Sequence, residues 1–387
     1  MTLRTARDEA VGTFRRFADG EVDVFEGALL ISRLIDPAED LDAARRLVAE
    51  LALRVAERRG TVRRPIDALR EVLFDDEGFE GDVETYDEPS NSSVARVLST
   101  RRGMPITLSI LTIEVGRRAG LGLEGVGLPG HFVVGGEDLP PGEYLDPFAG
   151  GEFQDAEDLE QRVSTIFGSP VELPPEVFAP DSPRLILTRV LLNLKASWER
   201  RGQFEDALAA LECAEALDPS QVSFVRERGL LLMKAGRPEE ALSALEDYAD
   251  EAEDEDAEAV RRLVAAVRER GGVPEGFEGF GTAPGGPHRT FTLTEARSLL
   301  PKVRKLTEEA AARYARFGEG GIETDEARHQ VVEEWARQVV ALGAEIKGLW
   351  LVDFDSGAGY YCWKYPEPSL GHFHGYEEGF SGRVPLQ

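Results

Sequence analysis

The stretch Gly103-Met-Pro-Ile-Thr-Leu-Ser-Ile-Leu-Thr-Ile-Glu-Val constrains this chain more than any other. It is nearly all apolar and ends at Arg117-Arg-Ala-Gly120. Pro105 suits the first helical turn, where its missing N–H costs nothing, and Gly120 suits the stop. A helix apolar on every side has no face to offer water, so it must lie at the centre of a domain with other elements around it. It is too short and too polar to span a bilayer. The flanking sequence supplies the surrounding elements. Val22 to Arg59 carries Leu29, Leu30, Leu34, Leu41, Ala44, Leu47, Leu51 and Val55 at helical spacing, and Pro37 divides it into two helices. Ile66–Phe74 and Ser92–Thr100 read as short helices. After the central helix, Gly and Pro turns separate short strands at Leu123–Leu128, His131–Val134 and Glu143–Asp146. Residues 1–170 are thus expected to form one mixed α and β domain.

Residues 184–270 are helical and repeat internally. Gly202-x-Phe-x-x-Ala207-Leu recurs as Gly236-x-Pro-x-x-Ala241-Leu. The spacing from Gly202 to Gly236 matches the tetratricopeptide period of about 34 residues. In such units Gly and Ala are expected where paired helices approach too closely for larger side chains. Pro219 closes the first unit, and two repeats are too few to stand alone, so the segment is expected to pack on its neighbour. More than half of the segment 271–287 is Gly or Pro, the composition of a linker. Residues 288–387 then form a separate unit. Thr292-x-x-Glu295 resembles a capping box, Pro301 should kink or restart the helix it opens, and a second helix is expected from Thr324 to Leu349. Leu351–Pro385 is aromatic-rich and reads as short strands. The expected class is α+β throughout: an N-terminal core, helical repeats, and a small helical-hairpin-plus-sheet domain.

Charge narrows the function classes. Asp and Glu number 72 against 44 Lys and Arg, a formal net charge of −28. That argues against nucleic acid and anionic membrane surfaces as partners, since both need clustered cations. The two cysteines, Cys213 and Cys362, cannot build a disulfide framework. The first residues have no signal-peptide apolar run, so a cytoplasmic protein is expected. Half of the stretch Glu71–Glu88 is acidic and none of it is basic, which reads as a solvated loop. Acids also dominate Glu246–Glu258, which reads as a solvated helix surface.

The candidate chemistry lies between Gly103 and Phe148. A helix N-terminus at Pro105, a strand carrying His131 and a strand end at Asp146 follow one another in the order nucleophile, base and orienting acid of papain-like enzymes. There a helix N-terminus favours a thiolate, the His takes its proton, and the acid fixes the ring. Residues 22–170 resemble the transglutaminase-like core of the bacterial SirB-type family through Asn91-Ser-Ser, Arg102-Gly-Met-Pro-Ile-Thr-Leu-Ser, Gly125-Val-Gly-Leu-Pro-Gly-His-Phe and Leu145-Asp-Pro-Phe. The repeats with Arg226-Glu-Arg-Gly-Leu-Leu are similar to that family's second half. The C-terminal unit resembles a small uncharacterised bacterial domain. The resemblance implies a papain-like fold, with His131 and Asp146 at the triad positions for His and Asp.

The chain departs from that pattern at the nucleophile. Catalytic transglutaminase-like enzymes open the central helix with Gly-x-Cys, and counting back from Arg117 places that Cys at Pro105. No cysteine precedes Cys213. Two readings follow. In one, His131 and Asp146 are a retained structural pair in a core without catalysis, and the protein acts by binding a protein or peptide through its repeats. In the other, Thr107 or Ser109 supplies a hydroxyl nucleophile for acyl transfer or amide hydrolysis; both hydroxyls also suit backbone bonding within their helix. Asn91 precedes the site and Arg101 and Arg102 flank it; they could orient an anionic group, the plainer reading being surface arginines. Glu114 shares a helix face with Thr107 and needs a partner, for which Arg118 is placed. Cys362, His372 and His374, with Glu377 or Glu378, could in principle hold zinc. The plainer reading is a buried strand with Cys362 as a small apolar residue. No cofactor motif and no metal set stands out.

Overall fold

The computed structural model describes residues 3–18, 20, 22–167, 173, 175–251, 260, 261, 264, 268, 291, 293–316, 322–356, 360–374 and 383–386 of the chain. Residues 271–287, Thr292, Glu377, Glu378 and residues 252–258 of the second acidic run lie outside them, so the expected linker and capping box do too. These elements divide into two compact units, residues 1–163 with 172–221, and residues 164–171 with 222–387. The division falls inside the repeat segment expected over 184–270. Among the described residues, no helix is long and apolar enough to cross a membrane.

The first unit is built around α6, Pro105–Arg118, with eleven of its residues from Pro105 to Gly116 buried. Helices α2 (Val24–Ile35), α3 (Leu41–Arg58) and α5 (Val94–Thr100) pack against it, as does the sheet strand β4 (His131–Gly135). Asp23, Asp40 and Ser93 cap the N-termini of α2, α3 and α5 by accepting from backbone N–H groups. Strands β3 (Glu124–Leu128), β4, β5 (Tyr144–Asp146) and β6 (Glu152–Gln154) form an antiparallel meander in sequence order. Two short strands, β1 (Glu80–Gly81) and β2 (Arg102–Gly103), pair in parallel beside α6.

The first acidic stretch is not merely solvated. A π-helical turn covers Glu71–Asp76 after α4 (Pro65–Arg70), and arginines take up its acids. Glu77 binds Arg54 and Arg101, Asp76 binds Arg58 at 2.8 Å, and Asp75 binds Arg70 at 2.6 Å. Burial opposes the Glu77 charge, yet the bonds from Arg54 and Arg101 hold its carboxyl below the usual range.

Helices α8 (Pro183–Arg200) and α9 (Phe204–Leu217) pack as an antiparallel pair in the same unit. Helix α1 (Leu3–Ala18), which has no counterpart in the sequence reading, lies on α9 through buried Ala6, Ala10 and Phe14 and an Arg7–Glu212 ion pair. Helix α7 (Ala156–Phe167) likewise has no sequence expectation. In the second unit α10 (Val222–Lys234) and α11 (Pro238–Glu251) form the next helix pair, with Leu245, Tyr248 and Ala249 at its core. The recurring glycines correct one expectation. Gly202 and Gly236 face open space, but their φ values are +70° and +74°, so glycine recurs to turn the chain in the left-handed region between helices. The close approach instead uses Ala207 and Ala241, each 0% exposed, and Gly229, where an added Cβ would lie 2.5 Å from Leu245.

The second unit also holds α12 (Leu293–Ala315), which runs through Pro301 without a break, and α13 (Ile322–Val340). The helix expected to reach Leu349 ends at Val340, because Gly343 turns at φ +85° and Glu345–Gly348 becomes strand β7. With β8 (Leu351–Asp355), β9 (Tyr360–Lys364), β10 (His372–His374) and β11 (Val384–Pro385) it makes a five-stranded antiparallel sheet.

Gly136 ends β4 at φ +131°, and a Cβ there would meet the Gly122 carbonyl oxygen at 2.3 Å. Gly136→Ala is therefore expected to lower unfolding stability by about 1–3 kcal/mol in urea titration. Gly142→Ala, at φ +81° in open space, should cost less.

Candidate functional site

His131 opens β4 one residue after Gly130, whose φ of +66° completes the β3–β4 turn. Asp146 closes β5. The hairpin and its neighbour bring the two together: His131 Nε2 lies 2.8 Å from Asp146 Oδ2, with His131 5% and Asp146 0% exposed. Asp146 Oδ1 accepts from the backbone N–H groups of Phe148 at 3.0 Å and Ala149 at 3.2 Å. Arg162, from α7, places Nε 3.2 Å from Oδ2. Burial works against the Asp146 charge, but the His131 bond, the His131 and Arg162 charges and the Ala149 N–H outweigh it and hold the carboxyl below its ordinary value.

An ionised carboxylate can only accept, so His131 donates through Nε2–H. In the neutral ring Nδ1 then carries the lone pair. Nδ1 makes no hydrogen bond to the described residues, and it is not among the fully enclosed polar atoms left without one. Phe148 stands beside the ring in a T-shaped contact, with centroids 6.1 Å apart.

The two hydroxyls proposed as nucleophiles are engaged elsewhere. Thr107 Oγ1 donates to the Asn91 carbonyl at 2.8 Å and accepts from Met104 N–H at 3.1 Å, closing the first turn of α6. Ser109 Oγ donates to the Phe132 carbonyl at 3.4 Å, fixing α6 to β4. Both are fully buried. Asn91 is also buried; its Nδ2 donates to the Thr85 carbonyl at 2.7 Å and to Asp82 Oδ2 at 3.2 Å. Arg102 is exposed and pairs with Glu80 at 2.5 Å. Glu114 is held by Arg118 at 2.6 Å, and also by Arg117 at 2.8 Å. The structure thus gathers His131 and Asp146, and leaves Thr107, Ser109, Asn91, Arg102 and Glu114 in neighbouring structural contacts. Two residues of the site escaped sequence reasoning, Arg162 and Phe148. Arg162 sits on α7, where Leu159 and Val163, one turn apart and both buried, were the available signal. Phe148 follows Asp146 in the Asp-Pro-Phe motif, which was the available clue.

Cys213 and Cys362 are free and buried, and burial pushes both thiols up. Cys362 faces His372 across the β9–β10 register, but the side chains of His374, Glu377 and Glu378 lie outside the described residues. Among the described residues, no group of three His, Cys, Asp or Glu side chains could hold a metal ion.

Sheet, central helix, His–Asp pair and the helix pairs that follow define a transglutaminase-like protein with tetratricopeptide repeats. Residues 40–192 match the transglutaminase-like superfamily and residues 194–265 a tetratricopeptide repeat family. Residues 318–386 match a domain described as uncharacterized conserved protein DUF2203. A UPF0162 protein of Xylella fastidiosa (strain Temecula1) is 34% identical over 47% of this chain and 66% of its own length. A UPF0162 protein of Vibrio cholerae is 27% identical over 54% of this chain and 79% of its own. The human F-box only protein 21 is 26% identical over 44% of this chain and 27% of its own length. No solved structure matches the chain. The chain is thus a transglutaminase-like, SirB-type relative of the UPF0162 proteins, with a DUF2203 domain at its C-terminal end.

Replacing Asp146 by Asn should leave buried donors facing an amide and lower stability by about 3–5 kcal/mol near neutral pH. The sign in pH follows from the lowered carboxyl. Its contribution is complete above the unfolded value of about 4 and is lost as pH falls through the lower folded value. Urea unfolding of the two proteins should therefore converge below about pH 4.

Proposed function

We propose that this chain is a non-catalytic, cytoplasmic interaction or regulatory protein whose transglutaminase-like core has lost its nucleophile. In this reading His131 and Asp146 persist as a buried structural pair, and the helical repeats bind a protein or peptide, not nucleic acid or membrane. One observation carries the reading. The hydroxyls nearest the vacated Cys position, Thr107 and Ser109, are buried and bonded to the Asn91 and Phe132 carbonyls. A hydroxyl is a weak nucleophile and needs its base within hydrogen-bond reach. Neither has that here, and Pro105 has nothing to deprotonate.

The second reading is an acyl-transferring or amide-hydrolysing enzyme that uses His131 as base and Asp146 as its orienter. The uncommitted Nδ1 of His131 favours it. Turnover assays on amide and ester peptides and on amine incorporation into glutamine substrates separate the two. The expected result is equal, background-level rates for the full chain and its His131→Ala variant. A rate that falls by about a hundredfold or more in the variant would establish the enzyme instead.

A further inference from the structure

The segment between Gly81 and Pro89 crosses the His131 side of the core and is held in two different ways. At its inner end, Gly81 N–H donates to the Phe148 carbonyl and Asp82 N–H to the Gly103 carbonyl, both at 3.0 Å. Asp82 also accepts from Thr85 N–H at 2.8 Å, and buried Asn91 grips the Thr85 and Tyr86 carbonyls. At its outer end, the segment is tied to α8. Arg200 meets Asp87 Oδ1 at 2.6 Å, Arg201 meets Glu88 Oε1 at 2.7 Å and the Asp87 carbonyl at 2.9 Å, and Ser197 Oγ donates to that same carbonyl. The acids of this outer tie are half in water: the Asp87 side chain is 52% exposed and that of Glu88 49%. Ion pairs this exposed are weak and screened by salt, whereas the inner contacts are shielded.

Between the two ties stands Tyr86. Its ring meets Phe148 in a T-shaped contact at 6.0 Å, and Phe148 meets His131 in the same way at 6.1 Å. Tyr86, Phe148 and His131 therefore follow one another in edge-to-face contact. Val83, in the same segment, is 73% exposed, so one apolar side chain of the strap is turned away from the core.

We propose that residues 82–88 are a latched strap: it hinges at Asp82 and Asn91, and the pairs of Asp87 and Glu88 with Arg200 and Arg201 on the first repeat helix hold Tyr86 and Phe148 closed beside His131. Releasing the pairs lets the strap swing from its inner hinge and widens access to Nδ1. The repeat helix thereby governs the core site, whether that site binds or reacts.

Carbethoxylation of histidine by diethyl pyrocarbonate, followed peptide by peptide in a mass spectrometer, measures access to His131 in the full chain. Two charge-removing variants open the latch from opposite sides, Arg200→Gln with Arg201→Gln, and Asp87→Asn with Glu88→Gln. His131 labelling should be about five-fold faster in each than in the unmodified protein at low salt. In the unmodified protein it should also rise as sodium chloride goes from about 0.05 M to about 0.5 M, and in the variants it should not. N-acetylhistidine in the same tubes corrects for reagent decay. Far-UV circular dichroism checks folding, and if one variant unfolds, the other and the salt series decide. Equal His131 rates in folded variants and unmodified protein, or a rate in the unmodified protein that ignores salt, overturn the latch.

Discussion

A helix without a polar face is the constraint on which the first unit depends. Helix α6 cannot be left against water on any side, so α2, α3 and α5 cover part of it and β4 covers another. That enclosure sets the site. Because β4 lies directly on α6, the residue that opens β4 is brought beside the core, and that residue is His131. The hydroxyls on α6 then have nowhere to go but backbone carbonyls. Thr107 caps its own helix and ties in Asn91, and Ser109 ties the helix to the sheet. What looks in one dimension like a run of candidate nucleophiles is, in three, the polar stitching of an apolar helix.

Charge is organised by the same logic. A chain with so many acids would repel itself if they were spread evenly. Instead, arginines from α3, α4, the end of α5 and the end of α8 bind Asp75, Asp76, Glu77, Asp87 and Glu88 of the first acidic stretch. Arginine suits this use, since its planar fork can hold a carboxylate with two bonds. The one fully enclosed carboxylate among these groups, Asp146, is held differently, by two backbone N–H groups, the imidazole and Arg162 together. A buried charge needs that many donors to remain a charge.

Much of the architecture was legible in the sequence, for identifiable reasons. Pro105 and Gly120 bracket α6, the recurrence of Gly202 as Gly236 marks the helix pairs, and Gly–Pro turns mark the meander. Less visible were the elements whose apolar residues meet partners far away in sequence. Helix α1 carries Ala6, Ala10 and Phe14 for α9, which lies more than half the chain away. The boundary at Gly343 was missed because one glycine inside a helical pattern does not announce its own φ.

The sequence by itself determined the class of fold, most of its elements, and the absence of a thiol where the central helix begins; the resemblance to the transglutaminase-like core paired His131 with Asp146. The elements follow from spacing and residue type, which local physics reads directly, and the site assignment from the resemblance. Only the tertiary structure decided where the remaining polar groups point. Whether Thr107 faces a carbonyl or a base, whether Asp87 and Glu88 hang in water or bind α8, and which ring packs beside His131 depend on contacts between residues apart in sequence. No periodicity records such contacts, because they are fixed by burying one surface against another and not by the order of the residues within either.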